Sequence, residues 1–286
     1  MSSMDKTYAV RTENLSKNFA GLAALTDVNL HVPEGSVYGL IGGNGAGKTT
    51  TIKILLGLIA ASSGTARVLG HERGTLPAAP VPGVAYLPDV PSLPGWMSAP
   101  QALEFFGEVS GVERAVARRR AANLLELVGL TRAPGNIGGF SRGMTQRLGI
   151  ALALVGAPRL LVLDEPTSAL DPLGRADVLN IIRELAGRTT VLLTSHLLAD
   201  VQQVCDHVGM LHEGTLLAEG PLDEVLALYR PERATVQVSV ARADTEAARS
   251  AIAAACGAAG VEARLDVAPP SLQHVYEYLS RGKVSQ

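Results

Sequence analysis

The sequence predicts an α/β fold, organised around a parallel sheet whose strands end in polar residues. Three short apolar runs indicate buried strands, at residues 37–41, 160–163 and 190–193. The first run leads into a glycine-dense turn, the second into Asp164 and Glu165, and the third into a Thr-Ser-His sequence that ends at His196. Ligands bind at the carboxyl ends of strands in open parallel sheets, so these residues are candidates for a functional site.

The composition is that of a folded protein without a strong charge bias. The 286 residues suit one large domain or two modest ones, and 47% of them are hydrophobic. The formal net charge of −2 gives no global reason to expect a nucleic-acid partner. Two cysteines, Cys205 and Cys256, are too few and too far apart for a disulfide or metal framework.

Neither the amino terminus nor the apolar segments predict export or membrane insertion. The first residues lack the basic-then-apolar pattern of a signal peptide. The longest apolar stretch, residues 148–163, is interrupted by Gly156, Pro158 and Arg159, whereas a membrane span needs about 20 apolar residues. We therefore expect a soluble, cytosolic protein.

The glycine-dense turn lies between the strand at 37–41 and an apolar-periodic segment that starts at Lys48. It fits the pattern G-x-x-x-x-G-K-[ST], and the order strand, turn, helix makes that pattern a phosphate-binding loop. Glycines let backbone N–H groups converge on an anion, and the helix N-terminus adds its positive dipole. We predict a nucleoside triphosphate site here, against the alternative of a turn that merely ends a strand. The predicted nucleotide-binding residues of this loop are Gly42, Asn44, Gly45, Ala46, Gly47, Lys48, Thr49 and Thr50.

Five side chains at these strand ends have the chemistry that nucleotide hydrolysis needs. Lys48 can reach the β- and γ-phosphates, and the Thr49 hydroxyl can hold Mg²⁺. Asp164 fits a second Mg²⁺ contact, and Glu165 can polarise an attacking water. A histidine at position 196 could contact the γ-phosphate. Alone, such a histidine is more often a capping or core residue, and two adjacent acids could also be a solvated turn.

Upstream of the phosphate loop, residues 8–14 and 28–32 read as strands, with residues 15–26 as a link between them. Phe19 lies in this link. It is a candidate for stacking on a purine base, and a core anchor at a strand edge is an equal alternative.

Downstream of the phosphate loop, strands are predicted at residues 65–69 and 84–87, and the second ends in Pro88 and Asp89. Residues 89–97 are rich in proline and glycine, which excludes a long helix or a central strand and indicates a hinge.

Helices are predicted at residues 100–110 and 113–128. Ser141 is a suitable N-cap for a helix that continues to about residue 156, and its N-terminus is a second potential anion site. Asp171 and Pro172 form an N-cap followed by proline at the first helical position, opening a helix that runs to residue 188.

In their order, these motifs resemble the nucleotide-binding subunit of an exporter-type ATP-binding-cassette (ABC) transporter over residues 6–222. The phosphate loop comes first, followed by F-S-R-G-M-T-Q-R, L-L-V-L-D-E-P, S-A-L-D and T-S-H. The resemblance implies a phosphate-loop NTPase (RecA-like) core with an N-terminal antiparallel β subdomain. It also implies a helical signature subdomain at about residues 89–154 and a small C-terminal α+β module at residues 231–286.

The resemblance further implies an ATPase with ATP and Mg²⁺ as cofactors, which powers an exporter through a separate integral membrane subunit. Each nucleotide would lie between two nucleotide-binding subunits, in a homodimer or a heterodimer, with Asp171 at the seam. The chain would be cytoplasmic and held at the inner face of the cell membrane by its partner. The resemblance implies that each subunit contacts its own nucleotide, in cis, through Lys48, Thr49, Asp164, Glu165 and His196. Ser141 and Gly143 would contact the nucleotide of the other subunit, in trans.

The chain departs from the family pattern at a few positions. Gly43 replaces a proline of the phosphate loop, and Arg142 and Met144 replace Gly and Gln of the commonest signature, L-S-G-G-Q. More consequential is Asp89, where most of the family has glutamine. This carboxylate is a candidate contact for Mg²⁺ or the attacking water and for sensing the membrane partner, and a solvated loop acid is the alternative.

Two other classes compete with the transporter interpretation. A soluble cassette ATPase of translation or DNA repair would be supported by tandem cassettes, zinc-binding cysteines or a long coiled coil, and the sequence has none of these. A nucleotide-sensing subunit that hydrolyses poorly is the second alternative, although the hydrolytic residues are all there. The tail, with predicted strands at 235–240 and 261–267, a helix at 243–257 and a last helix from Ser271, has no identifiable chemistry; packing or dimer contact is its default role.

Overall fold

The computed structural model describes residues 7–73, 79–133, 135–168, 170–228, 238 and 240–260. The strands are β1 (Tyr8–Phe19), β2 (Leu22–Val28), β3 (His31–Pro33), β4 (Val37–Ile41), β5 (Ser63–Val68), β6 (His71–Arg73), β7 (Val84–Leu87), β8 (Leu160–Leu163), β9 (Thr190–Ser195), β10 (His207–His212) and β11 (Thr215–Pro221). The α-helices are α1 (Lys48–Leu55), α2 (Ala99–Val109), α3 (Arg114–Leu127), α4 (Arg142–Leu154), α5 (Pro172–Leu185), α6 (Leu198–Val204), α7 (Leu222–Leu226) and α8 (Thr245–Ala258). Contacts divide the chain into two units, residues 1–228 and 229–286.

The first unit contains a six-stranded central sheet with the order β11-β10-β4-β9-β8-β7. Strands β10, β4, β9, β8 and β7 are parallel, and β11 joins the edge antiparallel to β10. Every residue of β4, β8 and β9 is buried. Strands that are covered on both faces read as continuous apolar runs, which is why the sequence alone located all three.

Alternate residues of the central strands pack into two different apolar cores. Leu161 and Leu163 of β8 pack into a core shared with α2, α3, α4, α5 and α6. Leu160 and Val162 point to the opposite face and pack with α1 and the amino-terminal strands. This period of two is the side-chain alternation of a strand, and it makes the central sheet the middle layer of the unit.

A second, antiparallel sheet has the order β2-β1-β5-β6, with β3 also paired to β1. Here the predicted link at residues 15–26 is wrong, because β1 continues to Phe19 and β2 begins at Leu22. Ala20 and Gly21 connect the two strands with φ values of 46° and 93°. Positive φ at both central residues is the geometry of a tight hairpin, and an Ala-Gly pair signals it less strongly than Asn-Gly does.

The predicted helices of the first unit are confirmed with small shifts at their ends. Helices α2 and α3 lie where apolar periodicity placed them. Ser141 caps α4 by accepting a hydrogen bond from the Met144 N–H, and Asp171 caps α5 through the Gly174 N–H. Helices α4 and α5 end two or three residues before the predicted positions.

The described part of the second unit is a short 3₁₀ turn, Arg242–Asp244, followed by α8, which corresponds to the alanine-rich helix predicted at 243–257. Apart from residues 238 and 240, the strands predicted at 235–240 and 261–267 and the helix from Ser271 lie outside the described residues. Within the described part of the chain, no helix combines the length and the apolar character that a membrane span requires.

Candidate functional site

The candidate site lies at the carboxyl ends of three parallel strands of the central sheet. Ile41 of β4 is paired with Ser195 of β9, and Leu193 of β9 with Leu163 of β8. The phosphate loop follows β4, the acid pair follows β8, and His196 follows β9. Because parallel pairing keeps the carboxyl ends at one edge, segments that are distant in sequence arrive side by side.

Close packing makes glycine necessary at two positions of the phosphate loop. A Cβ atom at Gly42 would lie 2.3 Å from the carbonyl oxygen of Leu211. Gly47 has a φ of 106°, and a Cβ there would lie 2.6 Å from Leu25 Cδ2 and 2.8 Å from the carbonyl oxygen of Ala24. The loop is therefore pressed against β2 and β10, which fixes its backbone in position for a ligand.

Helix α1 begins at Lys48, directly after Gly47, and no side chain caps its N-terminus. Thr49 in the first turn is exposed and Thr50 is half-buried. The free N–H groups and the dipole of this helix end favour an anion.

Lys48 is buried at the centre of the site, with 6% of its surface exposed. Its Nζ donates to the carbonyl oxygens of Gly42 and Gly43, at 2.6 and 3.2 Å. The same ammonium lies 3.2 Å from Oε1 of Glu165. The lysine thus joins the phosphate loop to the acid that follows β8.

Asp164 is held by two neighbouring hydroxyl groups. Thr194 donates from Oγ1 to Asp164 Oδ1 at 2.7 Å, and the hydroxyl of Tyr86 forms a second hydrogen bond to this carboxylate. Burial raises the pKa of Tyr86 to about 12, with further contributions from Asp164 and from the charge of Asp89. The sequence did not indicate either partner: Tyr86 lies inside a predicted strand, and of the T-S-H motif that contains Thr194 only the histidine was assigned a role.

Glu165 has a backbone conformation that is uncommon outside glycine. Its φ is 48°, and its N–H donates to Thr194 Oγ1 at 2.9 Å. Its carboxylate lies 2.8 Å from Nδ1 of His196 through Oε2. Strained residues persist where surrounding contacts over-determine them, and here the contacts aim the carboxylate between Lys48 and His196.

Asp89 lies at the start of the predicted hinge and contacts the turn that follows Glu165. Its Oδ1 accepts a hydrogen bond from Ser168 Oγ at 3.0 Å. The other end of the hinge is hydrogen-bonded to the segment before α4, because the Gly138 N–H donates to Gly95 and the Ile137 N–H to Met97. Among the described residues, no group of three or more His, Cys, Asp or Glu side chains could hold a metal ion without other ligands.

Ser141 and Gly143 lie in a separate pocket between the N-termini of α4 and α5. A Cβ at Gly143 would lie 3.9 Å from the Cα of Gly174, so the two helix starts are in close proximity. Asp171, Arg147 and Asp177 also line this pocket, and no phosphate-loop residue does. Within one chain, the two predicted anion sites are therefore distinct.

Phe19 lies at the end of β1 and is 45% exposed, with the Lys17 ammonium 4.9 Å from its ring centroid. It belongs to neither apolar core, which argues against the core-anchor alternative. An exposed aromatic ring at this strand end is available for stacking.

Comparisons with known proteins agree on one family. Residues 25–168 match the family model described as ABC transporter. The uncharacterised ABC transporter ATP-binding protein YxlF of Bacillus subtilis strain 168 is 42% identical over 214 residues, which cover 74% of this chain and 71% of that protein. The daunorubicin/doxorubicin resistance ATP-binding protein DrrA of Streptomyces peucetius is 38% identical over 77% of this chain and 67% of its own length. A solved ATP-binding subunit of an ABC transporter superposes with a TM-score of 0.69 at 32% identity, covering 78% of this chain and 93% of that one.

Proposed function

This chain belongs to the ABC transporter family of ATP-binding proteins, and from that premise we propose that it is the ATP-hydrolysing subunit of an exporter whose membrane domain is a separate chain. One observation supports the proposal that the chain hydrolyses ATP. Lys48, Glu165 and His196 form one connected group at the edge of the sheet where the phosphate loop lies.

The donor set at this edge fits Mg²⁺. The Thr49 hydroxyl and the Asp164 carboxylate are oxygen ligands, and Mg²⁺ is commonly held by one or two carboxylates together with phosphate oxygens. Thr194 and Tyr86 orient the Asp164 carboxylate. Bound Mg²⁺ would neutralise negative charge that develops on the phosphates. Asp89 is a further candidate ligand, in competition with its hydrogen bond to Ser168.

Glu165 is the proposed general base. A phosphate group in the loop would compete with Glu165 for Lys48 and so release Oε1 for a water. The backbone N–H of His196 donates to Oε2 of Glu165 at 3.4 Å, and the imidazole donates to the same oxygen of an ionised Glu165 only if its Nδ1 carries a proton. His196 can then donate to a phosphate from Nε2 only when its imidazole is also charged.

The pocket between the starts of α4 and α5 is the proposed contact for the nucleotide of a second subunit. Ser141 presents an exposed hydroxyl, and Gly143 presents backbone at the first turn of α4. Because one chain keeps this pocket apart from its own phosphate loop, a γ-phosphate that reaches both must bridge two subunits. ATP would then favour the paired state and hydrolysis would release it.

The relatives support the proposal of export and of membrane attachment through a partner. DrrA is named for resistance to daunorubicin and doxorubicin, and resistance by a transporter is consistent with removal of the drug from the cell. By analogy, we propose that this chain is cytoplasmic and attached to the membrane through an integral membrane partner that selects the cargo.

Phosphate release from ATP with Mg²⁺ tests the proposal, using the full chain alone and together with any multi-span membrane protein that a neighbouring reading frame encodes. We expect hydrolysis that the partner stimulates and that Lys48→Ala abolishes. Hydrolysis with no multi-span partner in the neighbouring frames would favour a soluble cassette ATPase. ATP binding with equally slow hydrolysis by the wild type and Lys48→Ala would favour a nucleotide sensor.

A further inference from the structure

Asp200 is a buried carboxylate that none of the roles above uses. It lies on α6, the helix that begins two residues after His196, and only 2% of its surface is exposed. A carboxylate is rarely buried so completely unless charged or hydrogen-bonding partners compensate for the lost water.

Both oxygens of Asp200 have partners from other segments. Oδ1 accepts from the Arg175 guanidinium, through Nε at 2.5 Å and also through Nη2. Oδ2 accepts from the Thr167 hydroxyl at 2.6 Å. Hydrogen bonds to an ionised acceptor are short and strong, and an arginine that donates through two N–H groups also defines orientation.

These contacts join three segments that carry the proposed site. Thr167 lies two residues after Glu165, in the turn that leads to Asp171. Arg175 lies in the first turn of α5, whose N-terminus Asp171 caps. Asp200 therefore ties the helix after His196 to the turn after Glu165 and to the helix at the proposed subunit seam.

The body of α6 is held separately, by packing on the central sheet. A Cβ at Gly39 of β4 would lie 2.7 Å from Val201 Cγ1 and 3.0 Å from Cys205 Sγ. Val201 and Cys205 are both buried in the apolar core. This packing sets the distance of α6 from the sheet. The polar contacts of Asp200 then determine the position of the start of α6 relative to the turn after Glu165.

We propose that Asp200 is a positioning residue for ATP hydrolysis, which keeps His196 in register with Glu165 and couples both to α5. The inference rests on the proposed function and adds to it a residue that contacts neither nucleotide nor metal. A carboxylate is needed because both of its oxygens face donors. An asparagine would lose the charge that pairs with the Arg175 guanidinium. Its NH₂ group would face either that guanidinium, donor against donor, or the buried Thr167 hydroxyl, which would then accept and have to turn its own proton away from position 200.

Steady-state ATP hydrolysis by the full chain, together with ATP affinity, tests this inference in four variants. Asp200→Asn and Thr167→Val should each lower kcat about 10-fold or more, since small misplacements of catalytic groups cost that much, and should leave the Kd for ATP within about threefold. Thr167→Ser keeps the hydroxyl and should retain most of kcat. Gln202→Ala changes an exposed residue of the same helix and should hydrolyse like the wild type.

The pairing adds a second readout. If Thr167 acts through Asp200, the double variant Asp200→Asn/Thr167→Val should lose no more kcat than the worse single variant, rather than the product of the two losses. Should Asp200→Asn fail to fold, the comparison of Thr167→Val with Thr167→Ser decides on the same criterion.

Four results would overturn the inference. Wild-type kcat in Thr167→Val, or equal losses in Thr167→Val and Thr167→Ser, would show that the hydroxyl contact does not position the site. A parallel loss of ATP affinity would assign the network to nucleotide binding instead. If the wild type itself shows no hydrolysis that Lys48→Ala abolishes, the proposed function fails together with the inference, and this outcome is distinguishable from the other three.

Discussion

The carboxylate of Glu165 bridges Lys48 and His196, with Oε1 3.2 Å from the lysine Nζ and Oε2 2.8 Å from the histidine Nδ1. The lysine belongs to the phosphate loop, and the histidine follows the neighbouring parallel strand. One acid therefore contacts both a phosphate-binding cation and a group that can hold or donate a proton. This position is suited to a base that must act only when a nucleotide has drawn Lys48 away.

Replacement of Glu165 by glutamine should separate ATP binding from hydrolysis. Glu165→Gln keeps the size of the side chain but removes a general base, so hydrolysis should fall about 100-fold or more while ATP binding is retained. The variant should also accumulate an ATP-held dimer, measurable by size-exclusion chromatography with light scattering. Hydrolysis at the wild-type rate would contradict the assignment of Glu165.

Mixed subunits should show whether Ser141 acts across an interface. A Ser141→Arg subunit and a Lys48→Ala subunit should each be inactive alone, yet a mixed dimer retains one intact composite site. We expect the mixture to hydrolyse ATP above both separate variants. No gain would mean either that Ser141 does not act in trans or that the two sites are obligately coupled, and a linked dimer with one wild-type half distinguishes these cases.

Asp89 should couple the membrane partner to hydrolysis rather than hold ATP. Its carboxylate accepts from Ser168, and the hinge that follows is bonded to the segment before α4. Asp89→Ala should therefore leave the Kd for ATP within about threefold and remove most of the stimulation of hydrolysis by the partner in lipid. Ser168→Ala removes the same hydrogen bond and is the matched variant.

Two results would count against this role of Asp89. Unchanged stimulation in both variants would show that the contact to Ser168 carries no signal. A large loss of ATP affinity in Asp89→Ala, but not in Ser168→Ala, would assign Asp89 to the metal site.

Alkaline pH should destabilise the folded chain through Tyr86, which is partly buried, and Tyr38, which is buried. Tyr86 has a folded-state pKa of about 12, above the ordinary value of 10. Its contribution to the free energy of unfolding is therefore fully present below pH 10 and is lost as pH rises towards 12. Burial and Glu219 raise the pKa of Tyr38 in the same direction. The free energy of unfolding in urea should thus fall above pH 10, and less steeply in Tyr86→Phe. Equal slopes for the variant and the wild type would contradict the shift at Tyr86.

The sequence alone determined those features that depend on residues close together in the chain. The phosphate loop is readable because glycines, a lysine and a hydroxyl must follow a strand and open a helix in that order. Ser141 and Asp171 are readable as caps, because a cap bonds to N–H groups only a few residues further along the chain. Strands β4 and β8 are readable because both of their faces are buried.

Tertiary structure alone decided which distant side chains meet. No sequence pattern assigned a role to the hydroxyls of Tyr86 and Thr194, yet parallel pairing of β7, β8 and β9 brings both to Asp164. Asp200 is one acid among the residues that follow His196. It accepts from both Arg175 and Thr167 only because the tertiary structure packs α6 against α5 and against the turn after Glu165. The sequence thus determined which reactive side chains this protein has. The order of strands in the sheet decided which of them are close enough to act together, because a side-chain contact depends on distance in space and not on separation along the chain.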